Sequence, residues 1–329
     1  MLDVVGKRGW YFLFSALIIL PGLISMIMPP GWLSGDSGLK GGIDFSSGSA
    51  LNATFTRPVT QKQIKERLDA LGHPEASIQK VGASGFLIRT ALLKQGVDGG
   101  ASELTIIEEE LGELGLDRDR VDFASVSPIV ASETIRNAIY AVLAASVFIL
   151  LFVWYAFRRV PKSYRYGVSA ILALVHDVIF VLGVFSILGK VIDLEVNSMF
   201  IVGILIVAGY SVNDTIVVFD RIRENVIRHP DRPLEAVVNL SIMDTIGRSL
   251  NTTFTTLFVL LAMLLIGGPS IRGLLLVVAI GAGVGTYSSI FIASQFVVIW
   301  DRGEIGRLLG RGRRGASAAA GGLFHLIGR

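Results

Sequence analysis

Three apolar stretches of this 329-residue sequence carry side chains able to hold or pass a proton. "ALVHDV" sets His176 beside Asp177, "GYSVNDTIVVFDRIREN" buries Asn213 and Asp214 behind a long apolar run, and "SIMDTIGRSLNTTFTT" brings Asp244, Arg248 and Asn251. An ionised side chain near the centre of a bilayer costs about 2.5–3.5 kcal/mol on insertion scales, so such residues face protein or water and mark pathways. His176 and Asp177 fall near mid-membrane. Asp214 comes six residues before Asp220, roughly 9 Å inside the end of its helix, and Arg248 lies at a similar depth in the next span. Asp244, Arg248, Asn251, Thr252 and Thr255 recur at i, i+4, i+7, i+8 and i+11, one helical stripe.

A carboxylate that is neutralised by a proton and re-ionised beside an arginine is a relay. A proton crossing the membrane releases about 2.3 kcal/mol per 100 mV, enough to bias a conformational equilibrium. Two readings of an Asp214–Arg248 pair follow: a proton-coupling device, or a static ion pair that orders helices. His176 likewise either handles protons or hydrogen-bonds a neighbouring span. Asp220, Arg221, Arg223 and Glu224 sit at the interface and read as topology signals.

Other chemistry finds little support. Gly183 to Lys190 departs from a phosphate loop in spacing and in Val191, where Ser or Thr is needed. His73, His176, His229 and His325 are scattered without metal-ligand spacing, so neither metal nor cofactor is expected. Ser288 and Ser289 in "GTYSSIF" lie on or beside a small-residue face with Gly281, Gly285 and Ala293, which predicts close helix packing rather than a nucleophile. With no cysteine there is no disulfide and no thiolate chemistry. The chain is expected not to be an enzyme, and its formal charge of +3 carries no nucleic-acid role.

The elements that must position these residues are membrane spans. A composition 52% hydrophobic and 17% charged, with mean hydropathy +0.62, exceeds what a soluble core needs. Six runs reach the roughly 20 residues that cross a bilayer, at 10–28, 136–157, 166–189, 198–220, 242–267 and 272–300. Lys7 and Arg8 precede the first, and arginine-rich clusters follow the second, fourth and sixth, which puts both termini in the cytosol. The first span reads as a retained anchor rather than a cleaved signal, because it is long and lacks a small-x-small site before Pro29-Pro30.

Four regions result: 1–29, the N-terminus and first span; 30–135, an extracytoplasmic α+β domain; 136–300, five further spans; and 301–329, a flexible cytosolic tail. In the second region "SALNATF" alternates toward β, Thr60 with Gln63 makes a capping box, and "SIQKV" and "GFLIRT" bracket a turn. A helix over 103–114 and a strand over 120–126 complete β-α-β-β-α-β, a ferredoxin-like order.

These motifs resemble the SecF family of protein-translocase subunits, within the SecD/SecF group of the resistance-nodulation-division superfamily. "GIDFSSGS", "ALVHDV", "EVNSMFIVGILIVAGYSVNDTIVVFDRIREN", "SIMDTIGRSLNTTFTT", "IRGLLL" and "GTYSSIFIAS" carry the resemblance, which runs over nearly the whole chain. It implies one six-span half of a twelve-span unit in the bacterial inner membrane, completed by SecD and docked at the SecYEG channel, with YajC and YidC as further partners. It further implies that the proton motive force promotes late-stage translocation of unfolded preproteins, with membrane lipids around the spans. Asp214 and Arg248 match the family's proton-pathway positions. The family's double glycine appears here as Ser47-Gly48, Asp244 stands where Asn or Gln is commoner and offers Arg248 a second partner, and Gln295 replaces a frequent Pro, which predicts a straighter sixth span. An exporter half for lipids or small molecules, or a structural subunit without transport, are the competing readings. Independently of the family, polar seams on the third, fourth and fifth spans call for a partner to cover them.

Overall fold

The computed structural model describes residues 3–27, 38–82, 84–94, 102–158, 162–192 and 194–303. The arginine-rich tail expected to be flexible, and Pro29-Pro30, therefore lie outside the described residues. The chain divides into two compact units: residues 40–140 with 195–198, and the rest.

The smaller unit follows the first membrane helix, α1 (Arg8–Ile27). It opens with a single turn, α2 (Ile43–Ser46), and continues as β1 (Gly48–Thr54), α3 (Gln61–Ala70), β2 (Ser77–Val81), β3 (Gly85–Thr90), α4 (Glu103–Glu113) and β4 (Asp122–Val126). The sheet order is β2-β3-β1-β4 with every neighbouring pair antiparallel, and Leu51 of β1 faces Ile88 on one side and Phe123 on the other. This is the ferredoxin-like split β-α-β expected from the element order. Alternate strand residues Leu51, Ala53, Phe86 and Ile88 bury against Ile64 and Leu68 of α3 and Ile107 and Leu111 of α4. The capping box forms: Gln63 N–H donates to Thr60 Oγ1 and Thr60 N–H to Gln63 Oε1.

The turn α2 has no sequence expectation behind it. It ends at Ser47, whose φ of +63° and ψ of 170° lie in a region that glycine favours, followed by Gly48 at φ +119°. Residues 195–198 belong to this same unit. Gly42 N–H donates to Val196 O (2.7 Å), Val196 N–H donates to Lys40 O (2.9 Å), and Asp44 Oδ2 accepts from both the N–H (2.7 Å) and the hydroxyl (2.6 Å) of Ser198.

Ser198 is also the first residue of a membrane helix. The larger unit holds α1, most of α5 (Pro128–Ala156), α6 (Tyr164–Val191), α7 (Ser198–Arg228), α8 (Leu234–Ile266), and a sixth span assembled from α9 (Pro269–Ser288), a π-helical turn over Ser289–Ala293, and α10 (Ser294–Asp301). These make six helices long and apolar enough to cross a membrane.

Small residues set how they pack. Gly203, Val207 and Ser211 of α7 lie against Val277, Gly281 and Gly285 of α9, and Thr215 Oγ1 hydrogen-bonds Ser289 Oγ at 2.8 Å, a constant separation of 74 residues, so α7 and the sixth span run parallel. A Cβ on Gly281 would stand 2.0 Å from Val207 Cγ2. In the same way α1 runs parallel to α6 at a separation of 161: His176 reaches Ser15, Ser186 reaches Ser25, and a Cβ on Gly22 would lie 2.6 Å from the Cα of Gly183. First with third and fourth with sixth is the pairing of directions that six successive crossings produce. The sixth span is the most buried of the six and α5 the least.

Candidate functional site

Helical geometry turns about 100° per residue, so four successive positions face four directions. At the end of α9 the residues Thr286, Tyr287, Ser288 and Ser289 use this to touch four different helices. Thr286 Oγ1 bonds Thr253 Oγ1 of α8 (2.5 Å), Tyr287 O–H donates to the Tyr11 carbonyl of α1 (2.8 Å), Ser288 O–H donates to Asp177 of α6 (2.7 Å), and Ser289 meets Thr215 of α7. The π-helical turn begins at this point, a feature that clusters at functional sites.

Asp177 is fully buried, and both of its oxygens are used. Oδ2 accepts from Ser211 (2.5 Å) and Ser288 (2.7 Å), while Oδ1 contacts His176 Nδ1 at 2.9 Å. The other imidazole nitrogen, Nε2, contacts Ser15 Oγ at 3.0 Å, and Ser15 in turn donates to Tyr287 Oη at 3.3 Å. The Tyr11 carbonyl can only accept, so it fixes the sense of the line: Tyr287 donates to Tyr11, Ser15 to Tyr287, and His176 Nε2–H to Ser15. With every bond of this line formed in that sense, Nε2 carries a hydrogen and the contact between Nδ1 and Oδ1 is closed by one further proton, on the imidazole or on the carboxyl.

Asp214 is placed differently. Ser249 O–H donates to its Oδ1 at 2.7 Å and the Ser289 hydroxyl lies beside it, but Oδ2 is buried without a hydrogen-bond partner. Ser249 belongs to an inward stripe on α8, Ser241, Thr245, Ser249 and Thr253, all buried and spaced by four. Ser241 accepts from Asn225 (3.0 Å) and Thr253 from Tyr210 (3.3 Å).

The expected Asp214–Arg248 ion pair does not form. Arg248 neighbours Ser249 in sequence, so it points about 100° away; it is exposed and reaches Asp214 only through the field of its charge. Nor does Asp244 serve as its second partner, because Arg221 takes that carboxylate with Nε at 2.8 Å and Nη2 at 2.7 Å. Asn251 shares the exposed face of Arg248, and Asn213 is exposed on α7. The structure thus gathers His176, Asp177 and Asp214 around one hydroxyl-rich turn and leaves Asn213, Arg248 and Asn251 on outward faces. Ser15, Ser211, Ser249 and Tyr287 escaped the sequence analysis. For Ser249 a signal existed in the period of four along α8, whereas Ser15 is an isolated hydroxyl in its part of α1 and Tyr287 sits in a run of hydroxyl residues that reads equally well as helix packing. Gln295 is buried with Oε1 unpartnered, just past the π-helical turn that interrupts the α-helical ladder of the sixth span. Among the described residues no group of three His, Asp or Glu side chains is placed to hold a metal ion.

Comparison with known proteins brings one group forward. A family model described as protein export membrane protein SecD/SecF, C-terminal, matches residues 106–303. The protein translocase subunit SecF of Thermobaculum terrenum is 37% identical over 324 residues, covering 97% of this chain and 100% of that protein. SecF of Anaerolinea thermophila is 35% identical with the same coverage. Among solved structures, SecDF of Thermus thermophilus, described as a translocon-associated membrane protein, is similar with a TM-score of 0.74 at 32% identity over 92% of this chain. SecDF in a super-membrane-facing form is similar at a TM-score of 0.59 and 29% identity. This chain spans only 39% of the first SecDF chain and 40% of the second.

Proposed function

The chain belongs to the SecD/SecF family of protein export membrane proteins, among its SecF translocase subunits, and from that premise we propose that it couples proton movement to late-stage preprotein translocation through SecYEG. Asp214 carries the proton exchange in this reading. The observation behind it is the contrast between two carboxylates: Asp177 is fully partnered and enclosed, whereas Asp214 is only partly buried, with one hydroxyl donor and one unpartnered oxygen. An oxygen without a donor gains most from binding a proton or a water, and its neighbours are hydroxyls that can turn to either protonation state. The His176–Asp177 pair holds its proton in reserve behind Ser211 and Ser288.

SecD is the proposed partner that completes the membrane unit. Asn213 on α7 and Arg248, Asn251, Thr252 and Thr255 on α8 are all exposed, and such residues are expensive against lipid. A second six-span subunit over these faces would enclose Arg248 beside Asp214 and strengthen its field there. In this arrangement both termini are cytosolic, the ferredoxin-like unit works outside, and YajC and YidC are accessory contacts.

The test is preprotein translocation into sealed inverted vesicles holding the chain with SecD and SecYEG. Asp214→Asn should abolish the proton-gradient-dependent part of translocation while leaving the amount of protein unchanged. Intact proton-dependent translocation in that variant removes Asp214 from the mechanism, and loss of the protein itself assigns it a structural role.

A further inference from the structure

Among the described carboxylate and amide oxygens of the membrane unit, two are buried without a hydrogen-bond partner: Oδ2 of Asp214 and Oε1 of Gln295. Gln295 has no exposed surface, and its Nε2 reaches the Ser294 hydroxyl at a long 3.4 Å. An amide enclosed in a helix bundle and left short of a bond is costly. Water is a donor small enough to supply that bond inside packed helices.

A source of water lies close by. Where α1 and α8 begin and α10 ends, a cavity of about 790 Å³ opens on the membrane unit, with Asp3, Arg232 and Glu235 among its polar lining. Phe12, Asn239, Leu240 and Ile299 are the lining residues farthest along their helices, so they form its floor. Gln295 lies one turn beyond Ile299 on the same helical face, about 6 Å deeper. Two counts then place it relative to Asp214. Along the sixth span it comes six residues after Ser289, whose hydroxyl lies beside Asp214, a rise of about 9 Å. On α8, Glu235 pairs with Arg302, and seven residues inward from each are Ile242 and Gln295, at one level. Ser249, the donor to Asp214, is seven residues further, a rise of about 10 Å. Gln295 therefore stands between the floor of the cavity and Asp214.

We propose that this cavity is the port through which Asp214 exchanges protons with the side on which α1 begins, and that Gln295 is the positioning residue that holds the relaying water. The inference rests on Asp214 as the exchanging acid and adds the route that serves it. A separation of about 9 Å, shortened by the reach of both side chains, is on the order of two to three waters at hydrogen-bond spacing. The Asp214 carboxylic acid gives its proton to the first water, which passes one of its own to the next, and the water on Gln295 releases one into the cavity. Each water ends unchanged, Asp214 ends as carboxylate, and the reverse order protonates it. The amide carries no proton itself; its oxygen accepts from the water and its NH₂ donates to one, which fixes the relay in place.

The chain has no cysteine, so single cysteines report directly on water access. Inverted vesicles holding the full chain with SecD and SecYEG are treated with a charged, membrane-impermeant methanethiosulfonate. Gln295→Cys should react. Val297→Cys should not, although Val297 is two residues nearer the end of α10, because it is buried in the apolar core. Equal labelling of the two would mark a loosely packed helix end and overturn the port, and so would no labelling of either. The second readout is translocation. Gln295→Leu replaces an unpartnered amide by an apolar side chain of similar size, so the amount of protein should be unchanged, while most of the proton-gradient-dependent translocation should be lost. Full retention of that part removes Gln295 from the route. Asp214→Asn, run beside it, separates the two claims. If Asp214→Asn abolishes the proton-dependent part and Gln295→Leu does not, the port fails and the assignment of Asp214 stands. If Asp214→Asn retains it, the assignment of Asp214 fails and the port to it fails as well.

Discussion

Replacing Asp177 with alanine and with asparagine separates hydrogen bonding from proton holding, because the two substitutions treat its three donors differently. In Asp177→Ala, the Nδ1–H of His176 and the hydroxyls of Ser211 and Ser288 lose their acceptor. Ser288 has a substitute, the Gly285 carbonyl at 3.1 Å, so two donors are stranded. Side-chain hydrogen bonds between membrane helices average about 0.6 kcal/mol and reach about 1.7, which gives a loss of about 1–3 kcal/mol for the two. Asparagine behaves otherwise. Its amide oxygen can take the place of Oδ2 and accept from both serines, while its NH₂ donates to Nδ1 of a neutral His176 that still gives Nε2–H to Ser15. Every hydrogen bond keeps a partner, and only the further proton between the two side chains is gone. Equilibrium unfolding of the full chain in mixed micelles should therefore place Asp177→Asn closer to the parent than Asp177→Ala. Equal losses for the two variants would refute the assignment of directions along the line from Tyr11 to Asp177.

Three further outcomes follow from the packing. Gly281→Ala should destabilise by about 1–3 kcal/mol through overpacking, because its Cβ would meet Val207 Cγ2 at 2.0 Å; adding Val207→Ala should recover most of the loss in the same unfolding assay. Ser47→Gly should stabilise the chain by about 1 kcal/mol by removing a non-glycine residue from φ +63°, read as a raised thermal midpoint. Asp44→Ala should release the first turn of α7 at a cost of about 0.5–2 kcal/mol, the worth of a lost helix cap, and should speed hydrogen exchange at the Ser198 amide, which donates to that carboxylate.

Much of the architecture is legible in the sequence because it rests on repeating patterns. The spans are written in apolar length, and the ferredoxin-like unit in alternation that puts Leu51, Ala53, Phe86 and Ile88 on one face, bounded by the Thr60–Gln63 box. The turn α2 is not legible, since four residues show no period and its end depends on a φ that Ser47 does not advertise. The site is half legible. Charged residues announce themselves in an apolar span, so His176, Asp177 and Asp214 stand out. Their partners do not, because serine, threonine and tyrosine are common in membrane helices for packing alone. The error over Arg248 has the same origin: α8 carries two polar stripes, the charged one looks more important, and the hydroxyl stripe through Ser249 is the one that faces Asp214.

That preference for hydroxyls has a physical sense if a proton is to come and go. An arginine bonded directly to Asp214 would hold it ionised, because the pair stabilises only the charged form. A hydroxyl is indifferent, donating to a carboxylate or accepting from a carboxylic acid after one bond rotation. Ser249 and Ser289 beside Asp214, and Ser211 and Ser288 on Asp177, give both acids this kind of surrounding. Thr286 to Ser289 add a mechanical condition, since these four residues touch α8, α1, α6 and α7 in turn. A change of protonation at either acid therefore alters bonds of a helix that touches α1, α6, α7 and α8, at the π-helical turn where its own ladder is least regular. Arg248, exposed on the outer face of α8, acts there as a distant charge whose influence depends on what covers it.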